Sequence, residues 1–279
     1  MISSNKTPLC AAADKRNFEL VDYLINIKGI GNDAFKGCLS LTEISVPKSV
    51  TTIEKGAFEG CTSLTKVTLS SSLLSIGDNA FYRCYSLCEI SLPNSLKSLG
   101  NYVFSECTSL KRIEVPSSVE MIGFSAFYDC SMLEEAFFSE ESNIINIGYS
   151  SFFGCSSLSH ITFPNSLKSI GNYAFFECSS LSHITFPNNL VSIGDHAFEK
   201  CLSLSEIVFP PSMESIGEFS FSDCENLKQI VIPPSVASIG KSSFINCSSL
   251  EQVLIQSSTI LVGNNAFPLK TKIINLKNE

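Results

Sequence analysis

The chain has no tryptophan and three histidines in 279 residues, and charged side chains make up only 16% of it. An ordinary globular domain has roughly 25%. No run of Lys or Arg occurs, and the formal net charge is −8, so a nucleic-acid surface, which needs clustered positive charge, is excluded. No stretch reaches the ~18 apolar residues of a membrane span. The opening MISSNKTPLCAAADKRNFELVDYLI carries Asp14, Lys15, Arg16, Glu19 and Asp22 where a secretory signal needs an unbroken apolar run. The expectation is a cytoplasmic protein without direct membrane insertion. Export would need a non-classical route or an upstream segment. There is no G-x-S-x-G, no P-loop and no recurring acid pair, so neither catalysis nor a cofactor is expected.

What the chain does have is rhythm. Ten of its twelve cysteines fall at 38, 61, 84, 107, 130, 155, 178, 201, 224 and 247. The interval is 23 throughout, except for 25 between Cys130 and Cys155. No C-x-x-C or Cys/His zinc spacing is present. A cysteine recurring once per unit occupies one equivalent site, where a buried, reduced thiol behaves as a small hydrophobe; disulfides or metal are the alternative.

The unit reads C-x-x-L-x-x-I-x-ϕ-P-x-x-ϕ-x-x-I-G-x-x-A-F-x-x, with ϕ apolar. Residues 155–200 spell it twice with six differences, as CSSLSHITFPNSLKSIGNYAFFE and CSSLSHITFPNNLVSIGDHAFEK. Leu158 to Phe163 ends in period-2 alternation and predicts a short strand with Ile161 and Phe163 inward. Proline, without a donor N–H, ends it. The Ile-Gly pair supplies a second apolar anchor and then a turn suited to glycine. The Phe from Phe35 to Phe267 stacks on its neighbours above and below. One unit alone cannot bury its apolar face, whereas stacked units make a continuous core. The predicted fold is a right-handed repeat solenoid of about eleven rungs, with parallel strands ~4.8 Å apart. The stretch FFSEESNIINIG (137–148) is two residues longer than its equivalents and reads as a surface bulge or a contact point.

Two regions depart from the repeat. Residues 1–29 contain Thr7-Pro8-Leu9-Cys10-Ala11-Ala12-Ala13 and Phe18 to Ile25, which read as two short helices in register with an ankyrin repeat. They form either a helical cap for the solenoid at 30–279 or the remnant of a longer array. At the other end Lys270 replaces the cysteine. Ile273 and Leu276 are expected at the Leu and Ile positions of a last strand, closed by Lys277-Asn278-Glu279.

The unit A-F-x-x-C-x-x-L-x-x-I-x-ϕ-P-x-x-ϕ-x-x-I-G, running over residues 30 to 276, resembles the BspA-like leucine-rich repeats, the 23-residue class also found in treponemal surface proteins. The resemblance implies a leucine-rich-repeat fold with its strands on one curved face. It also implies a surface protein that binds host matrix proteins or other cells. Members joined to ankyrin-like segments resemble protist proteins.

Two outward ladders follow from strand alternation. The first is Glu43, Lys66, Glu89, Arg112, Glu135, His160, His183, Glu206, Gln229 and Gln252, whose early members alternate in sign as cross-rung pairs would. Glu135, His160, His183 and Glu206 stack as a possible zinc or pH-sensitive column, although duplication alone explains the two histidines, and no metal site is assigned. The second is Ser45, Thr68, Ser91, Glu114, Phe137, Thr162, Thr185, Val208, Val231 and Leu254, which turns apolar toward its end. The candidate protein-binding face is therefore Phe137, His160, Thr162, His183, Thr185, Val208, Val231 and Leu254. The expected function is a non-catalytic interaction scaffold inside the cell, docking on a protein partner or a repeating, perhaps cytoskeletal, assembly. The competing reading is a cell-surface adhesin.

Overall fold

A computed structural model describes residues 27–257 and 259–275. Most of the expected N-terminal cap, together with Leu276 and the closing Lys277-Asn278-Glu279, lies outside the described residues. Twenty-two short strands run in chain order from β1 (Gly29–Ile30) to β22 (Lys272–Asn275), and every pairing between them is parallel. They build a solenoid of about eleven turns, with no helix among the described residues.

Each turn contributes two strands rather than the expected one. The even-numbered strands are the L-x-x-I-x-ϕ segments, such as β12 (His160–Thr162), with the central residue buried and its neighbours exposed. The odd-numbered strands are two-residue pieces at the Ser-Ile step before glycine, such as β13 (Ser169–Ile170) and β15 (Ser192–Ile193). They line up as Ser169↔Ser192 and Ile170↔Ile193, and the column continues through Ser215 and Ser238. Two residues are too few to show alternation in a sequence.

The core is a set of columns. Eleven phenylalanine rings, Phe35 to Phe267, stack near-parallel with centroids 5.0–5.6 Å apart, as expected. Phe163, Phe186 and Phe209 form a second column whose rings meet Phe175, Phe198 and Phe221 edge-on. The repeated cysteine donates its thiol to the phenylalanine carbonyl of the preceding rung, as Cys61 Sγ does to Phe35 O at 3.0 Å and Cys178 Sγ to Phe152 O at 3.2 Å. Each thiol is thus a hydrophobe with one hydrogen bond to give. Ten of the described cysteines are free thiols, whereas Cys38 is disulfide-bonded. Burial pushes the Cys61 and Cys247 thiols up to about 12 and the Cys107 and Cys178 thiols well up too.

The repeated glycine serves close approach and not a turn. A Cβ on Gly100 would lie 2.4 Å from Asp78 N and Gly77 C, and one on Gly217 2.4 Å from Gly194 C. The left-handed residues fall elsewhere, at two places per rung, and most are not glycine: Tyr102, Glu106, Ser125, Asp129, Tyr173 and Lys200 have φ between 53° and 61°. Such a conformation costs roughly 1–2 kcal/mol per residue. It persists because each of these residues donates its N–H to the next rung, as Glu106 N does to Tyr128 O (2.7 Å) and Lys200 N to Ser222 O (2.9 Å).

The two-residue insertion is tied down on its inner side. Ser142 and Ile144 are buried, and Ser166 Oγ donates to the carbonyls of Ser142 (2.7 Å) and Ile144 (2.6 Å). Glu140 and Glu141 stay exposed. At the far end, β22 pairs Gln252↔Lys272, Val253↔Ile273 and Leu254↔Ile274. Ile273 therefore takes the Ile position, three residues off the expected register, because the last turn has a 20-residue offset instead of 23.

Candidate functional site

The outward positions of the even-numbered strands form one continuous flank, and the structure sorts its candidate residues. β10 (Glu135–Phe138) pairs with β8 (Arg112–Val115) and with β12, aligning Arg112, Glu135 and His160. Arg112 reaches Glu135 at 3.6 Å, and its guanidinium carbon lies 4.7 Å from the centre of the Phe137 ring. Phe137 is half-buried, with the Arg112 guanidinium over its ring. Among the described residues no ion pair joins Glu43, Lys66 and Glu89.

His160 and His183 stand on neighbouring rungs whose strands share no ladder hydrogen bonds. β14 (His183–Thr185) pairs with β16 (Glu206–Val208) and not with β12. His160 Nδ1 lies 2.8 Å from the hydroxyl of its neighbour Ser159. Among the described residues, no group of three or more His, Cys, Asp or Glu is placed to hold a metal ion. The third histidine, His196, is stacked between Tyr173 and Phe219 with Nδ1 against Glu199 Oε2. Thr162 is also engaged: its hydroxyl accepts from Phe138 N at 3.2 Å.

Beyond Thr185 the flank changes character. Val208 is 66% exposed and Val231 37% exposed. β18 (Gln229–Ile232), β20 (Gln252–Ile255) and β22 pair in one sheet, placing Val231, Leu254 and Ile274 in register. Ile274 belongs to this aliphatic stripe and was missed because the shortened last turn hides its alignment. Gln229 and Gln252 run beside the stripe as neutral polar neighbours. The result is a narrow aliphatic strip, with Glu206 and Lys272 beside its two ends, able to exclude water against a flat partner surface. It offers no titratable group and no nucleophile.

A family model for the BspA type leucine rich repeat region matches in six copies, over residues 28–158 and 145–274. No curated protein matches the chain. Among solved structures, the leucine rich repeat protein of T. pallidum is 36% identical and covers 56% of this chain and 72% of its own, with TM-score 0.52. A leucine-rich repeat protein from Eubacterium ventriosum is 26% identical over 90% of this chain and 70% of its own, with TM-score 0.57. The pneumococcal vaccine antigen PcpA shares the fold at 21% identity, covering 85% of this chain and 69% of its own, with TM-score 0.50. No helix among the described residues is long and apolar enough to cross a membrane.

Proposed function

We propose, from the premise that the chain belongs to the BspA-type leucine-rich repeat family, that it is a non-catalytic rod that docks on a protein partner through the C-terminal part of its even-strand flank. The observation that carries this reading is the strip Val231, Leu254 and Ile274, in register across β18, β20 and β22, with exposed Val208 on the neighbouring rung. Such a strip has no use to the core, since the inward residues Ile207, Ile230 and Val253 already fill it. The strip itself carries no titratable or nucleophilic side chain around which chemistry could be built.

The docking reading is an intracellular scaffold that meets a flat or repeating protein surface. A solenoid binds through extended area, so its partner need present no pocket. The double variant Val208→Lys/Val231→Lys tests the strip against Ser192→Lys/Ser215→Lys on the odd-strand flank. Loss of partner recovery in the first with retention in the second is the expected result, and equal recovery would overturn the assignment. Protease shaving of intact cells tests the location. Cleavage of the chain at the cell surface would favour an adhesin over a scaffold.

A further inference from the structure

A third surface, formed by the tight turns between odd strand and cysteine, carries most of the exposed aromatic rings among the described residues. Two columns run along it. The first, at the left-handed position after glycine, reads Tyr102, Ser125, Ser150, Tyr173, His196 and Phe219, of which Tyr102, Ser125, Ser150 and Tyr173 have φ of 50–58°. The second, two residues before each cysteine, reads Tyr82, Ser105, Tyr128, Phe153 and Phe176. Serine thus replaces an aromatic side chain on three successive rungs, at Ser105 in the second column and at Ser125 and Ser150 in the first. Where the rings are missing a slot of about 400 Å³ opens, lined by Tyr82, Tyr102, Tyr128, Tyr149, Phe153 and Tyr173 above Ser105, Ser125 and Ser150, with Glu106 at its edge. That volume falls in the ~300–1,000 Å³ range of small-molecule sites.

The walls are fixed. Tyr128 and Phe153 stack with centroids 4.8 Å apart, and Tyr149 meets Tyr173 edge-on at 5.7 Å. The floor is unusual. Ser105, Ser125 and Ser150 are 1–3% exposed, yet none of their hydroxyls has a protein hydrogen-bond partner among the described residues. Open to the slot, such hydroxyls are satisfied there by water, and an occupant with hydroxyl-like groups can take that water's place. An apolar occupant would leave them unpaired. An organic cation is disfavoured as well, because Glu106 is already held by Arg83 Nε (3.1 Å) and Tyr82 Oη (3.0 Å). The remaining lining groups are neutral.

We propose that this slot binds a pyranose ring of a neutral sugar, its C–H face against the tyrosine walls and its hydroxyls on the three serines. Ring faces and hydroxyls are what the walls and floor respectively lack. The site lies on a different flank from the protein-docking strip, so either assignment can fail alone.

Saturation-transfer NMR on the full chain tests it, with methyl α-glucopyranoside, methyl β-galactopyranoside and the methyl glycoside of N-acetylglucosamine as probes. Tetramethylammonium serves as the cationic control. At least one pyranoside is expected to give saturable transfer through its ring protons. Tyr149→Ala, at a residue 54% exposed, should weaken it roughly threefold to tenfold, the range for one lost aromatic contact. Ser125→Tyr, which copies Tyr102 and Tyr173 into the slot at the same backbone conformation, should abolish it. Should that variant melt early, Tyr149→Ala carries the test. The proposal is overturned if no pyranoside binds, if Tyr149→Ala leaves the affinity unchanged, if a folded Ser125→Tyr variant still binds, or if tetramethylammonium binds in place of the sugars.

Discussion

Replacing one repeated glycine by alanine separates close rung packing from turn formation, because the same substitution has opposite expected outcomes at two equivalent positions. At Gly217 an added Cβ lies 2.4 Å from Gly194 C and 2.6 Å from Asp195 N. These are backbone atoms held by the odd-strand ladder, so no flexible side chain can move aside. Overpacking of this kind costs about 1–3 kcal/mol. At Gly148, which follows the two-residue insertion, the nearest atoms are Ser151 Oγ at 3.4 Å and Phe124 Cα at 3.6 Å. Neither glycine has a positive φ, so alanine at Gly148 leaves the entropy benefit of about 0.4–1 kcal/mol. Gly217→Ala should therefore be less stable than Gly148→Ala by about 1.4–4 kcal/mol, combining the two effects. Urea unfolding followed by circular dichroism reads the difference as a shift in midpoint at constant slope. Equal midpoints for the two variants would refute the close-approach role of the glycine.

The phenylalanine column makes a second prediction. Phe175→Ala removes a fully buried ring stacked on Phe152 and Phe198 and should cost about 3–5 kcal/mol. In a nearest-neighbour solenoid that loss splits the unfolding transition, and a single unshifted transition would contradict it. The thiols give a third. Among the described cysteines, exposed Cys88 alone should react fast with Ellman's reagent in the native protein, while the buried column waits for unfolding. Rapid reaction of several thiols would deny the column. A pH dependence follows from the same groups. Burial raises the folded-state pKa of Cys61 and Cys247 from 9.0 to about 12, so the neutral thiol is favoured in the fold. Their contribution to stability is full below pH 9 and falls as pH rises toward 12. Urea midpoints that stay flat from pH 8 to 11 would contradict it.

Much of this architecture is legible in the residues because a solenoid repeats each physical requirement. Cys, Phe and Gly mark columns, and the 23-residue period gives their register directly. What escaped reading escaped for local reasons. The odd-numbered strands are two residues long and carry Ser outside and Ile inside, which is indistinguishable from a turn. Glycine's common use at positive φ suggested that turn, whereas its role here depends on the rung beneath it. Arg112 over Phe137 is a contact between rungs, invisible from either residue alone. Ile274 was hidden by a last turn three residues short. The two histidines share a motif position on neighbouring rungs, and among the described residues no third ligand joins them to hold a metal ion. The serine-for-aromatic replacements at Ser105, Ser125 and Ser150 are visible in the sequence once the columns are known, but their coincidence on one surface is a property of the fold.

The account's central claim is that partners meet the rod on the C-terminal even-strand strip. A photo-crosslinking residue placed at Val231, and separately at Ser192 on the odd-strand flank, tests it in the native cell. The prediction is a discrete crosslinked protein species from position 231 and none from position 192. Crosslinking from 192 with none from 231 would contradict the claim.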